Sequence, residues 1–160
     1  MTSPRDLTPE DLGWVHDLNQ ANGKALSYME RDAFEAMVAR AAYARVIDGE
    51  AGFLLAYAQP PIVGDSPNFD WFASRFENTL YIDRVAVGGH ARRQGVAARL
   101  YDDLAAFARA SGFERIGAEI NSDPPNPGSD AFHAARGFEV VGEARLEGRD
   151  KTVRYVALGL

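Results

Sequence analysis

The sequence predicts a mixed α/β (α+β) fold: a mostly antiparallel, twisted sheet of about seven strands with a central parallel β-α-β pair, flanked by about four helices. Three observations predict it. Residues 79–120 read as strand, helix and strand, from "TLYIDRVAV" through an Ala-rich amphipathic run to "FERIGAEI", and such a unit forms a parallel pair with a right-handed crossover. Residues 43–58, "YARVIDGEAGFLLAYA", are two β-rich runs about the turn signal Asp48-Gly49, a hairpin pattern. Two further β-rich runs near 138–146 and 151–158 flank "EGRD". Hairpins on either side of a parallel pair give a mixed sheet.

The remaining elements follow in order. In "LTPEDLGWVHDLNQANG" Thr8 caps a helix, Pro9 takes its first position, acids fill its first turn and Gly23 lies past its end. Phe34, Met37, Val38 and Ala41 form one stripe of a second helix over 29–42. A strand ahead of the first helix completes the count. Residues 59–78 open with turn formers, after which Phe69, Phe72 and Phe76 recur at helical spacing, so a short helix sits inside a long connection. Helix 95–111 ends before Gly112, and Ile116, Ala118 and Ile120 share one face of the strand after it. A Pro/Asn loop then leads into a short helix at 127–136, ended by Gly137.

Composition narrows the function. A chain of 160 residues reads as one domain over 1–160, able to bury about two-thirds of its unfolded surface. The longest apolar stretch, residues 51–58, is far short of the ~20 residues that span a bilayer. The N-terminus has no apolar signal-peptide core. Without cysteine there are no disulfides, no Cys nucleophile and no thiolate metal site; a reducing cytoplasm fits. Three histidines without ligand spacing give no metal site, and a Gly-x-Ser-x-Gly hydrolase elbow is absent. A net charge of −6 argues against nucleic-acid or anionic-membrane partners.

Against that acidic background, "GGHARRQGVA" (residues 88–97) gathers His90, Arg92 and Arg93, with Arg99 just beyond. The loop joins a strand to a helix N-terminus, where unpartnered N–H groups and the macrodipole form an anion site. Gly95 lets backbone amides approach an anion without a Cβ in the way. Neither a Walker A nor a Gly-x-Gly-x-x-Gly fingerprint is present. On spacing alone, a solvated arginine loop is the alternative.

The residues resemble a known family. "RRQGVA" looks like the Arg/Gln-x-x-Gly-x-Gly/Ala signature of the GNAT superfamily of N-acetyltransferases, and it follows "YIDRVAV" at that family's usual separation. Downstream, "NPGSDAFHAARGF" resembles the family's Asn-x-x-Ala-x-x-Leu-Tyr-x-x-x-Gly-Phe segment, with Asn126, Ser129, Phe132, His133 and Gly137-Phe138 in register. "PNFDWF" and the neighbouring segments are similar to a subgroup of bacterial predicted acetyltransferases. The resemblance implies a GNAT-like fold and acetyl-CoA as cofactor. Val85, Ala86 and Val87 would offer backbone groups to the pantetheine arm. Arg92, Arg93, Gln94, Gly95, Val96 and Ala97 would cradle the diphosphate. Asn126 and Ser129, with Phe132, would lie along the cofactor arm. His133 stands where many members carry a tyrosine that protonates the departing thiolate.

Direct acetyl transfer to an amine requires loss of one ammonium proton, since a lysine-like amine has a pKa of about 10.4. Asp83 is the first candidate base, taken to share a strand face with Tyr81 and Val85; pairing with Arg84 is its alternative. Glu119 on the next strand is the second. A donor at His133, Tyr81 or Tyr101 would assist the leaving thiolate. Asn126-Pro127 equally reads as a helix cap. The aromatic group Phe69, Trp71, Phe72 and Phe76 either packs its helix or lines an acceptor pocket, with Trp71 off the stripe. The expected activity is N-acetylation of a small-molecule or peptide amine in a ternary complex. Alternatives are a non-catalytic CoA-binding or sensing module and an enzyme using a longer acyl-CoA. Terminal strands of this fold often pair between subunits, so a homodimer is compatible.

Overall fold

A computed structural model describes residues 2–60 and 66–160. The turn-forming stretch expected after residue 59 therefore lies partly outside the described residues, at 61–65. The chain runs β1 (Arg5–Asp6), a 3-10 turn, α1 (Leu12–Ala21), α2 (Gly23–Leu26), α3 (Arg31–Arg40), β2 (Tyr43–Ile47), β3 (Gly52–Tyr57), α4 (Pro67–Ala73) and β4 (Thr79–Val87). After a second 3-10 turn come α5 (Val96–Ala110), β5 (Arg115–Asp123), α6 (Pro127–Ala135), β6 (Glu139–Leu146) and β7 (Lys151–Gly159). The seven strands form one sheet in the order β1-β2-β3-β4-β5-β7-β6. Among the described residues only β4 and β5 pair in parallel, and every other neighbouring pair is antiparallel.

Six α-helices are found among the described residues, where about four were expected. Part of the difference is at Asn22, which interrupts the first helix so that Gly23 opens the four-residue α2 instead of ending α1. The expected helix start is a capped 3-10 turn: the Thr8 N–H donates to the Asp11 carboxylate at 2.8 Å, and α1 begins one residue later.

Both faces of the sheet are covered, which makes all six residues of β3 buried. On one face Leu54, Leu80, Ile82, Ile116 and Ile120 pack on Leu100 and Leu104 of α5. On the other, Phe53, Leu55, Tyr57 and Tyr155 pack with Val15, Phe34 and Met37 of α1 and α3, and with Phe69 and Phe72 of α4. Burying a side chain such as Leu100 contributes about 1.5–3 kcal/mol, so α5 is anchored by its core face while its first turn stays at the sheet edge. Val96 holds that turn down. A Cβ at Gly52 would lie 2.8 Å from Val96 Cγ1, so only glycine admits this approach.

Candidate active site

The parallel ladder is short. It pairs Thr79–Leu80–Tyr81 with Arg115–Ile116–Gly117 and then stops, although both strands run on, to Val87 and Asp123. Beyond Tyr81 and Gly117 the strands part, opening a cleft at the centre of the sheet and leaving the β5-facing edge of β4 without a strand partner. Asp83 and Glu119 are the second residues past the last pair on each strand.

A β-bulge shapes β4 at this point. Leu55 pairs with Arg84 and Ala56 with Ile82, which leaves Asp83 as the extra residue. Tyr81 therefore belongs to the cluster under α1, α3 and α4, whereas Val85 and Val87 pack with α5. The expectation that Asp83 shares one strand face with both Tyr81 and Val85 is corrected: the added residue reverses the alternation between them.

The two carboxylates have different surroundings. Asp83 accepts from Arg84 Nε at 2.8 Å, and Arg84 Nη1 donates to the buried Asn19 Oδ1 at 2.8 Å. This is the pairing with Arg84 noted as the alternative for Asp83. Among the described residues Glu119 pairs with no arginine; it accepts a hydrogen bond from the Tyr81 hydroxyl. Burial pushes Glu119 up to about 8, and the Asp83 charge adds to the rise, while the Tyr81 hydrogen bond and Lys151 oppose it. Tyr81 itself is pushed well above its ordinary value by burial and by the Glu119 charge. A carboxyl that titrates near neutral pH at a cleft floor marks a site suited to proton transfer.

His133 is buried on α6 with both ring nitrogens engaged. Nδ1 lies 2.8 Å from the Ser129 carbonyl and 3.3 Å from its hydroxyl, and Nε2 lies 2.8 Å from the Tyr101 hydroxyl. A carbonyl only accepts, so Nδ1 carries the proton and Nε2 accepts from Tyr101. Burial pushes the imidazole pKa down and the Tyr101 phenol up. His133 and Tyr101 line the same cavity as Val85 and Asn126. Phe132 packs edge-on against Tyr101, with ring centroids 4.9 Å apart. The Asn126 side chain accepts from the Ser129 N–H at 3.2 Å, capping α6.

The loop before α5 is exposed from Arg92 through Gly95, and Val96 is buried. Gly95 caps the helix in the left-handed region at φ 76°, and Arg93 is also left-handed at φ 64°. A Cβ on Gly95 would meet no atom within 4 Å, so the space before the first amides of α5 is open. Gln94 Nε2 donates to the His90 carbonyl at 3.1 Å and His90 Nε2 contacts the Gly49 carbonyl at 2.8 Å, which ties the loop to the β2–β3 turn. Ala97 is half-buried in the first turn. An anionic diphosphate fits this arrangement of open amides and exposed guanidinium groups.

The cleft has two lobes, of about 210 Å³ beside α5 and α6 and about 270 Å³ beneath α2 and α4, which share Asp83, Arg84, Glu119 and Lys151. The aromatic stripe of α4 does not line the second lobe: Phe69 and Phe72 are core residues, and Trp71 stacks on Tyr155 with centroids 4.1 Å apart. The start of α4 lines it instead, through Pro67 and Asn68. Sequence reasoning missed Asn68, Met29 and Lys151. Lys151 carried one signal, being one of two lysines among 17 basic residues.

The split parallel pair lies beside the open N-terminus of α5, and the family comparison gives the class of protein that carries this arrangement. The family model described as the Acetyltransferase (GNAT) family matches residues 15–138, and the chain belongs to that family. It is an N-acetyltransferase that uses acetyl-CoA. No curated protein sequence matches. Among solved structures, the fold is similar to the ribosomal-protein-S18-alanine N-acetyltransferase of Escherichia coli (TM-score 0.70, 17% identity, covering 99% of this chain and 94% of that one). It is similar to the ribosomal-protein-alanine N-acetyltransferase of Brucella melitensis (TM-score 0.71, 19% identity, 99% and 100% covered). An aminoglycoside 6'-N-acetyltransferase complexed with coenzyme A gives a TM-score of 0.73 at 16% identity, with 99% and 97% covered. Among the described residues no helix is long and apolar enough to cross a membrane.

Proposed function

We propose that this N-acetyltransferase acts on a primary amine by direct attack within the cleft between β4 and β5, with Glu119 as the general base. The observation that carries the reading is the place of the Glu119 carboxyl, held by the Tyr81 hydroxyl where the strands part, with burial pushing its pKa up to about 8. A base with a pKa near working pH combines a useful fraction of carboxylate with a real affinity for the proton. Asp83, already committed to Arg84, sets the local field and holds the bulge. This reverses the order in which the sequence ranks the two carboxylates.

The bound cofactor supplies an activated acetyl thioester. The amides and arginines of residues 92–97 would hold its diphosphate, and the open edge of β4 at Val85, Ala86 and Val87 would receive its arm. Asn126, Ser129 and Phe132 border the same lobe. Glu119 takes one proton from the incoming ammonium, leaving a lone pair on nitrogen. The new N–C bond would replace the S–C bond, and because Glu119 already holds the first proton, the second amine proton would pass through water to the departing thiolate. The thiolate, with a pKa of about 8.5, needs only modest help. Rotation of the Tyr101 O–H away from His133 Nε2 presents it to the sulfur, so His133 acts as a positioning residue for Tyr101.

The test is thiol release from acetyl-CoA over an amine panel, with the acetylated product identified by mass. Amine-dependent release that falls in Glu119→Gln supports the reading. Cofactor binding without turnover on any amine would make the protein a CoA sensor instead.

A further inference from the structure

The lobe beneath α2 and α4 carries a charge pattern that a simple amine does not need. The chain has a net charge of −6, yet this lobe is lined by Lys151, Arg149 and Arg84 against only Asp83 and Glu119. Arg84 and Asp83 neutralise one another at 2.8 Å. Among the described residues no carboxylate lies within ion-pair distance of Lys151, although its charge is felt at Glu119. Asn68 adds a second donor. It is buried, and its Oδ1 accepts from the Tyr155 hydroxyl at 2.8 Å, while its amide N–H groups have no partner among the described residues. Met29 and Met37 provide an apolar wall.

We infer that the acetyl acceptor is a free amino acid, whose carboxylate is read by Lys151 and Asn68 while its amine faces Glu119. This rests on the N-acetyltransferase reading and names the acceptor class. Lys151 and Glu119 line the same lobe without forming an ion pair, so the two ends of one small zwitterion can meet opposite charges there. A polyamine would bring a second positive charge against Lys151. A peptide N-terminus would set a neutral amide where the half-buried Lys151 ammonium and the Asn68 amide favour an anion. The cavity of about 270 Å³ lies below the ~300–1,000 Å³ range of pockets for drug-sized ligands and accommodates a small molecule.

The experiment compares thiol release with the twenty amino acids, their amides, short peptide amides and spermidine, for the native protein and for Lys151→Met, which keeps the length and packing of the stem. At least one free amino acid is expected to exceed its own amide in kcat/KM by about ten-fold or more, as loss of a charge-assisted contact implies. Because Lys151 also bears on Glu119, the comparison is made well above pH 8, where Glu119 is ionised with or without it: there Lys151→Met should raise KM for that amino acid about ten-fold more than for its amide and be rescued in part by Lys151→Arg. Equal or better use of the amide, a peptide or spermidine overturns the inference while sparing the N-acetyltransferase reading. So does a Lys151→Met loss that is equal for acid and amide. Turnover of no amine by a protein that still binds CoA overturns both.

Discussion

The Tyr81 hydroxyl donates a hydrogen bond to the Glu119 carboxylate across the point where β4 and β5 separate. Tyr81 is the last residue of β4 in the parallel ladder, and Glu119 lies two residues past the last paired residue of β5. The contact therefore spans the base of the cleft. It opposes the rise that burial imposes on Glu119, and so tunes the proposed base.

Glu119→Gln is expected to lower kcat by about 10²–10⁴-fold, the usual worth of a general base, with CoA affinity unchanged. In the native protein kcat/KM should climb as pH rises through about 8, because the carboxylate is the active form. Rate profiles in which the variant lacks that limb check this.

The same substitution is expected to stabilise. A carboxyl whose folded pKa is raised to about 8 from 4.5 favours the folded state fully below the unfolded value, and that advantage is lost as pH rises towards 8. Glu119→Gln has no such loss. Its Tm should exceed that of the native protein at pH 8.5, and the gap should shrink at pH 5.

Tyr81→Phe and Asp83→Asn should move the activity profile in opposite directions. Removing the Tyr81 hydroxyl raises the Glu119 pKa, so the rising limb shifts to higher pH; removing the Asp83 charge lowers it. Asp83→Asn also strips a buried Arg84 of its counter-ion, which costs about 3–5 kcal/mol. Chemical denaturation and pH-rate profiles separate the two effects.

Gly95→Ala should weaken CoA binding with little change in the rest of the fold. Its φ of 76° costs an L residue about 1–2 kcal/mol, and the new Cβ would project into the open space that the diphosphate is proposed to take. Calorimetry should show a loss of affinity beyond the accompanying fall in Tm, with greater salt sensitivity in the native protein than in Arg92→Ala or Arg93→Ala.

The strands and the long helix were legible because their signals are local. β4 spans Thr79–Val87 as its β-branched run indicates, and α5 starts directly after Gly95. The two-fold alternation that reads β4 as a strand also misled: one bulged residue at Asp83 reverses every face beyond it, and no local preference announces it. The Arg84–Asp83–Asn19 network depends on α1, distant in sequence, as does the placing of Met29, while Asn68 is held from β7 by Tyr155. The His133–Tyr101 contact joins α6 to α5 through two residues 32 positions apart, beyond the reach of local sequence signals.

The central claim is met most directly by a crystal structure with CoA bound. The account requires diphosphate oxygens within hydrogen-bond distance of main-chain amides in residues 92–97, and the sulfur in the gap between β4 and β5 on the side of Glu119. A diphosphate seated away from that loop, or a sulfur outside the gap, would contradict it.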